Sequence, residues 1–257
     1  MKYLNIIILL AIFSVSGFCQ QNQTDTQGRK QGYWKKIDNN GNLIYEGYFK
    51  DNKPVDTLKR YYENGNLKVK MVFSDEHDTV YSIMYFEEGK ISGEGRYFNK
   101  MKVGLWKYYS AHFDCLMQED IYKMGKKDGI CVNYYQNGSP NEILQYKEGI
   151  KHGKWMQFFE DGQMKFQANY ENDKLNGEYI NYRSEGRIEI KGIYKNDLKD
   201  GLWQYYDERG NLDSEIIYHD GVAENEEELK AIQQKYMDYI EQNQGKFQEP
   251  DASGGVY

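Results

Sequence analysis

The chain has 257 residues and a formal net charge of -7, from 33 Lys+Arg against 40 Asp+Glu. That balance argues against a chain whose default partner is nucleic acid, since sustained attraction to phosphates needs an excess of positive charge. Mean hydropathy is only -0.89, yet 16% of residues are aromatic and just 3 are Pro, so the chain reads as folded, with rings supplying most of its apolar burial.

Residues 1–19 read as a signal peptide. Lys2 precedes the apolar run Ile6–Phe13, and the small residues Ser14, Ser16 and Gly17 follow. The run is too short to span a bilayer, which takes ~20 residues. Export to the periplasm, the outer envelope or the medium is therefore expected. Two outcomes stay open: a cut after Cys19 that leaves Gln20 as the new terminus, or lipidation of Cys19. Residues 20–31 are polar and read as a linker.

From residue 32 to 223 the chain repeats every 24 residues. Turn glycines recur at Gly41, Gly65, Gly89, Gly138, Gly162, Gly186 and Gly210. A distal aromatic series runs Phe49, Phe73, Tyr97, Tyr122, Tyr146, Tyr170, Tyr194 and Tyr218. A third series opens the units at Gly32, Gly104, Gly129, Gly153, Gly177 and Gly201, with Asp56 and Val80 at the second and third places. All three share one insertion, beside Ser110–Asp114, and together they define eight copies.

Each copy predicts a β-hairpin. In the last, Gly201–Tyr206 is a short aromatic strand, Asp207–Gly210 the turn, and Leu212–Tyr218 the return. Asn-Gly and Asp-Gly suit tight turns because both accept positive φ, and aromatic and β-branched flanks favour strands. A second glycine turn, such as Asp200-Gly201, Asn176-Gly177 or Asp128-Gly129, is expected to link consecutive hairpins. The predicted fold is all-β: an elongated, twisted antiparallel sheet of about eight consecutive hairpins. Alternation places Trp203 and Tyr205 on one face and Tyr206 on the other. The candidate ladder or binding residues are Trp34, Trp106, Tyr109, Trp155, Phe158, Tyr179, Tyr182, Trp203 and Tyr206, and their rings are expected to form one continuous stack.

The unit Gly-x-Trp-x-x-Tyr, followed by a turn Gly, a distal Tyr and Lys-x-x-Gly, resembles the MORN repeat. It is similar, more closely, to bacterial MORN-variant proteins of the antitoxin-like YwqK-type family. The resemblance covers Gly32 to about Gly221 and is strongest in units one, four, six, seven and eight. Units two and three depart from it at Asp56 and Leu58 and at Val80 and Ser82. It implies a non-enzymatic interaction surface of consecutive hairpins and a protein partner.

Residues 224–243 read as a capping helix. Asn225 suits an N-cap with Glu228 three residues on, and Leu229, Ile232, Tyr236, Tyr239 and Ile240 recur at helical spacing. Residues 244–257 read as a flexible tail.

Nothing in the chain suggests catalysis. Gly93-Glu94-Gly95 is too short for a dinucleotide loop and lies in a strand pattern. His77, His112, His152 and His219 share no ligand spacing, so no metal or other cofactor is expected. Cys115 and Cys131 fall off-register for a disulfide. The turns within repeats are mostly acidic, whereas those between repeats carry a weakly basic rim: Lys100, Lys102, Lys126, Lys127 and Lys151. The expected function is a protein-interaction scaffold at the cell envelope. The alternative is a glycan-binding module, because the Trp-x-Tyr-Tyr rhythm is similar to cell-wall-binding aromatic repeats, although only 4 Trp occur. Membrane contact is expected only through export or a lipid on Cys19.

Overall fold

Two kinds of turn, used alternately, build the architecture. The computed structural model describes residues 21–74 and 78–243. The expected signal peptide with Cys19, residue Gln20, the stretch 75–77 and the expected tail 244–257 lie outside them. Internal contacts divide the chain into two units: unit one, up to Val80 with Glu87–Gly89, and unit two, Tyr81–Phe86 with Lys90 onward. Both are β-structure, and unit two ends in one helix.

The turn within each repeat is not the two-residue type that Asn-Gly suggested. Gly41 N–H donates to the Asp38 carbonyl (3.2 Å) and Asp38 N–H to the Asn42 carbonyl (2.9 Å). Only the glycine takes positive φ, at 89° for Gly41 and 86° for Gly210, while Asn40 and Arg209 do not. This is a type I turn closed by a left-handed glycine. The Asp38 carboxylate completes it, accepting the N–H of Asn40 (2.9 Å) and Asn42 (2.8 Å), and Asp207 does the same for Arg209 and Asn211.

The two-residue turns lie between repeats, and they sit four residues earlier than the glycines had implied. Asp51-Asn52 and Asn196-Asp197 have positive φ at both positions, joining Lys50 to Lys53 and Lys195 to Leu198. That is the mirror-image turn matching the twist of paired strands. Gly201 is therefore no turn residue. It lies inside the strand Leu198–Tyr206, where the pairing register shifts between Lys191 and Ile193 of the neighbouring strand Ile188–Lys195.

In unit one the strands Lys30–Ile37, Leu43–Lys50, Lys53–Tyr61 and Leu67–Phe73 pair antiparallel in chain order. The linker reading of residues 20–31 needs correction. Gln23–Thr24 pairs with Gln31 and Lys30, and Asp25 caps its own turn by accepting the Arg29 N–H and guanidinium (2.9 and 2.7 Å). In unit two the same meander runs from Ile91–Phe98 to Leu212–His219.

Helix α1 spans Glu226–Gln242. Leu229 and Ile232 pack on the buried cluster of Trp203, Ile216 and Tyr218, and Lys235 binds the Asp213 carboxylate at 2.6 Å. These contacts close the last repeat. The buried stripe is shorter than its helical spacing implied, because Tyr236 and Tyr239 are exposed.

Candidate functional site

Strand alternation gives each unit two chemically distinct faces. The first carries the rings. Trp106 is fully buried, with Tyr97 edge-on at 4.8 Å between centroids and Tyr108 stacked at 6.2 Å. Trp203 is 1% exposed, flanked by Tyr179 at 5.7 Å and Tyr194 at 5.0 Å. Each indole N–H donates to a carbonyl ten residues earlier, Arg96 for Trp106 (3.0 Å) and Ile193 for Trp203 (3.1 Å). Room for each comes from a glycine on the preceding strand. A Cβ at Gly95 would lie 2.3 Å from Trp106, and one at Gly192 would lie 2.2 Å from Trp203. Gly95, set aside as a phosphate-loop candidate, is thus a seat for an indole.

The ring stack is not continuous. One run joins Trp155, Phe166, Tyr179, Trp203 and Tyr218. Trp106 and its tyrosines form a separate group. Between these two groups in sequence, Cys131 pairs with Leu144 on adjacent strands, and the buried Asp120 binds Lys127 at 3.0 Å. Cys115 and Cys131 are free thiols, and burial pushes the Cys131 thiol up to about 11.

Three of the five rim lysines belong to this face. Lys102 places its ammonium 4.5 Å from the Trp106 ring and 5.1 Å from both Tyr108 and Tyr122. Lys127 lies 5.3 Å from Tyr146 and Lys151 4.9 Å from Tyr170. Lys100 and Lys126 remain exposed in the turn region. The basic rim therefore gives way to an internal cation–π column. Burial holds the Lys102 and Lys199 ammoniums below the usual lysine range. For Lys127 burial works in the same direction, but the Asp120 bond and charge outweigh it and raise the group.

Sequence reasoning missed two further lysines held over rings, one in each unit. Lys199 lies 4.3 Å from Trp203, and Lys30 lies 4.8 Å from Trp34 and 4.9 Å from Phe49. The signal was present: Lys30, Lys102, Lys127, Lys151 and Lys199 each stand two residues before an opening glycine, with Leu175 at the same place.

The second face carries tyrosine–carboxylate bonds. Glu46 accepts the hydroxyls of Tyr33 (2.6 Å) and Tyr61 (2.7 Å) and holds Lys35 at 3.4 Å. These two hydroxyl bonds, with help from Lys35 and against the opposing effect of burial, hold its carboxyl at about 2. Glu94 accepts Tyr81 (2.6 Å) and Tyr109 (2.7 Å), and Glu119 accepts Tyr134 (2.8 Å). Tyr109, Phe158, Tyr182 and Tyr206 all occupy the place just before the turn, where the register shifts by one residue. A bulge there re-aims the side chain. Where Phe158 lacks a hydroxyl, the residue fifteen places earlier is Ile143 rather than glutamate.

The nine candidates thus divide. Trp34, Trp106, Trp155, Tyr179 and Trp203 belong to the ring face, while Tyr109, Phe158, Tyr182 and Tyr206 end the strands at the bulges. Trp34 and Trp155 are only half-buried. Trp34 donates to the Gln23 carbonyl (2.9 Å), and Trp155 donates to Glu142 (2.7 Å). Among the described residues, no group of three or more His, Cys, Asp and Glu side chains is placed to hold a metal ion, and no helix is long and apolar enough to cross a membrane.

No curated protein matches the chain. Two solved structures are similar to part of it at 11% identity and a TM-score of 0.21. They are the crystal structures of TcdB2-TccC3-Cdc42 and of TcdB2-TccC3, and each match covers 76% of this chain but only 13% and 12% of theirs. The profile of the MORN repeat variant family matches at residues 30–51, 57–75, 127–148, 151–172 and 199–220. The chain therefore contains five segments that match the MORN repeat variant, each one hairpin of the meander just described.

Proposed function

We propose that this chain is an exported, non-enzymatic repeat protein that serves as a protein-interaction scaffold at the cell envelope. The observation that carries this reading is the apolar content of the face opposite the rings. Tyr48 in unit one, and Leu105, Ile121, Ile130, Leu202 and Ile217 in unit two, are all exposed large hydrophobic side chains. Such side chains anchor protein contacts more often than they stabilise a free surface. The match to MORN-variant repeats and the resemblance to YwqK-type antitoxin-like proteins support a protein as the partner. The glycan reading loses two of its four indoles, because Trp106 and Trp203 are sealed inside the sheet and cannot stack on a sugar.

The test is affinity purification of the tagged full chain from the envelope fraction after in-cell cross-linking. A defined partner should co-purify. Leu105→Glu with Ile121→Lys, opposite charges on a cross-strand pair, should abolish its recovery while the chain still unfolds cooperatively. Recovery of the chain alone, or only from the cytoplasm, would reject the reading.

A further inference from the structure

Unit one bears a charge row that its own fold does not balance. On the second face, cross-strand register places Lys35 opposite Glu46, Glu46 opposite Lys59, and Lys59 opposite Lys70. Like charges directly opposite on paired strands repel. Glu46 is shared between Lys35 (3.4 Å) and Lys59 (3.7 Å), and it already accepts two tyrosine hydroxyls. Among the described residues, no carboxylate lies within ion-pair distance of Lys70. Three ammoniums therefore face one committed carboxylate across four strands, a span of ~14 Å at the usual strand spacing.

Beside this row runs an apolar one. Tyr33 and Tyr48 are opposite each other with rings 5.2 Å apart, and Thr57 is opposite Val72. Tyr48 is 45% exposed and Val72 37%. Tyr33, Tyr48, Thr57, Glu46, Lys59 and Lys70 line a single open groove, so the aromatic platform and the surplus charge share one concavity.

We infer that this groove of unit one holds an acidic, apolar-flanked segment of a protein partner, with its carboxylates on Lys59, Lys70 and Lys35 and its apolar side chains on Tyr33 and Tyr48. The inference rests on the scaffold reading above and gives that scaffold a recognition chemistry. Charge complementarity sets the partner's sign and speeds encounter, while the tyrosine pair supplies the desolvated anchor.

The test titrates the full chain into a fluorescein-labelled twelve-residue peptide of alternating glutamate and phenylalanine, with fluorescence polarisation at low and at physiological salt. Saturable binding that weakens with salt is expected. Lys59→Glu with Lys70→Glu should weaken it at least tenfold, and Tyr48→Ser about threefold. Lys70→Gln relieves the Lys59 repulsion, so it should raise the unfolding midpoint while weakening the peptide, a pair of effects that a purely structural lysine would not give. Equal binding of a lysine–phenylalanine peptide would overturn the inference. So would indifference to the lysine substitutions, or binding of chitotetraose that depends on Tyr33 and Tyr48 but not on the lysines. If the lysine variants still recover a cross-linked envelope partner, this groove is wrong and the scaffold reading survives. If no variant and no wild-type chain recovers one, the scaffold reading itself fails.

Discussion

Trp203 and Trp155 hold the same place in their hairpins, yet the first is sealed and the second half-exposed. The cause lies one strand away. Trp203 lies over Gly192, where the register shifts and no Cβ stands in the way. Trp155 instead stands in register opposite Leu144, whose side chain fills the corresponding space. Its indole is displaced outward, and the N–H bonds a carboxylate, Glu142, instead of a backbone carbonyl. The repeat signature fixes where a tryptophan sits along the chain; the residue beneath it decides whether that tryptophan is core.

The largest effect expected from this difference is on stability. Trp203→Ala should cost about 3–5 kcal/mol, as large buried aromatics do, and Trp155→Ala roughly half that. Urea midpoints with unchanged slopes would show it, and equal losses would break the comparison. Converting one arrangement into the other is the sharper trial. Gly192→Leu should expel Trp203, cost about 1–3 kcal/mol through overpacking, and shift the tryptophan emission to longer wavelength.

Smaller effects separate the two faces. Glu46→Gln should cost about 1–2 kcal/mol at neutral pH, because two charge-assisted bonds become neutral ones. The folded carboxyl titrates at about 2 against an ordinary 4.5, so between those values the unfolded chain binds the extra proton. Stability from this group is thus complete above pH 4.5 and lost as pH falls toward 2, and acid titration of the Glu46→Gln variant should lack that part of the loss. Asp56 occupies an opening-glycine position at φ 58°. Asp56→Gly should therefore stabilise by about 1 kcal/mol, read from the thermal midpoint. Lys199→Leu is expected to change stability by less than about 1 kcal/mol, because the cation–π gain and the desolvation cost offset one another. Leu175 already occupies that place one repeat earlier.

How much was legible depended on the range of the interaction. The hairpin count, the meander and the terminal helix follow from local signals: turn glycines, flanking aromatics and helical spacing. The turn types did not. Asn-Gly resembles the two-residue turn, but the Asp38 and Asp207 carboxylates hold the longer type I loop, and the mirror-image turns fell both to glycine-free pairs such as Asp51-Asn52 and to pairs such as Glu148-Gly149 and Asp220-Gly221. Of the five lysines before opening glycines, Lys102, Lys127 and Lys151 read as rim charge and Lys30 and Lys199 were passed over, since only the fold shows that their ammoniums lie over the rings. Tyr236 and Tyr239 shared the helical stripe but stand exposed, whereas Leu229 and Ile232 reach the Trp203 cluster.

By itself the sequence determined the period, the alternation of faces and the residue types on each, because these follow from strand geometry and from which residues tolerate a turn. Tertiary structure alone decided which rings are buried, which lysines are caged and which stand unbalanced. Those outcomes depend on register between strands, where a single bulge or a single missing Cβ changes what each side chain meets.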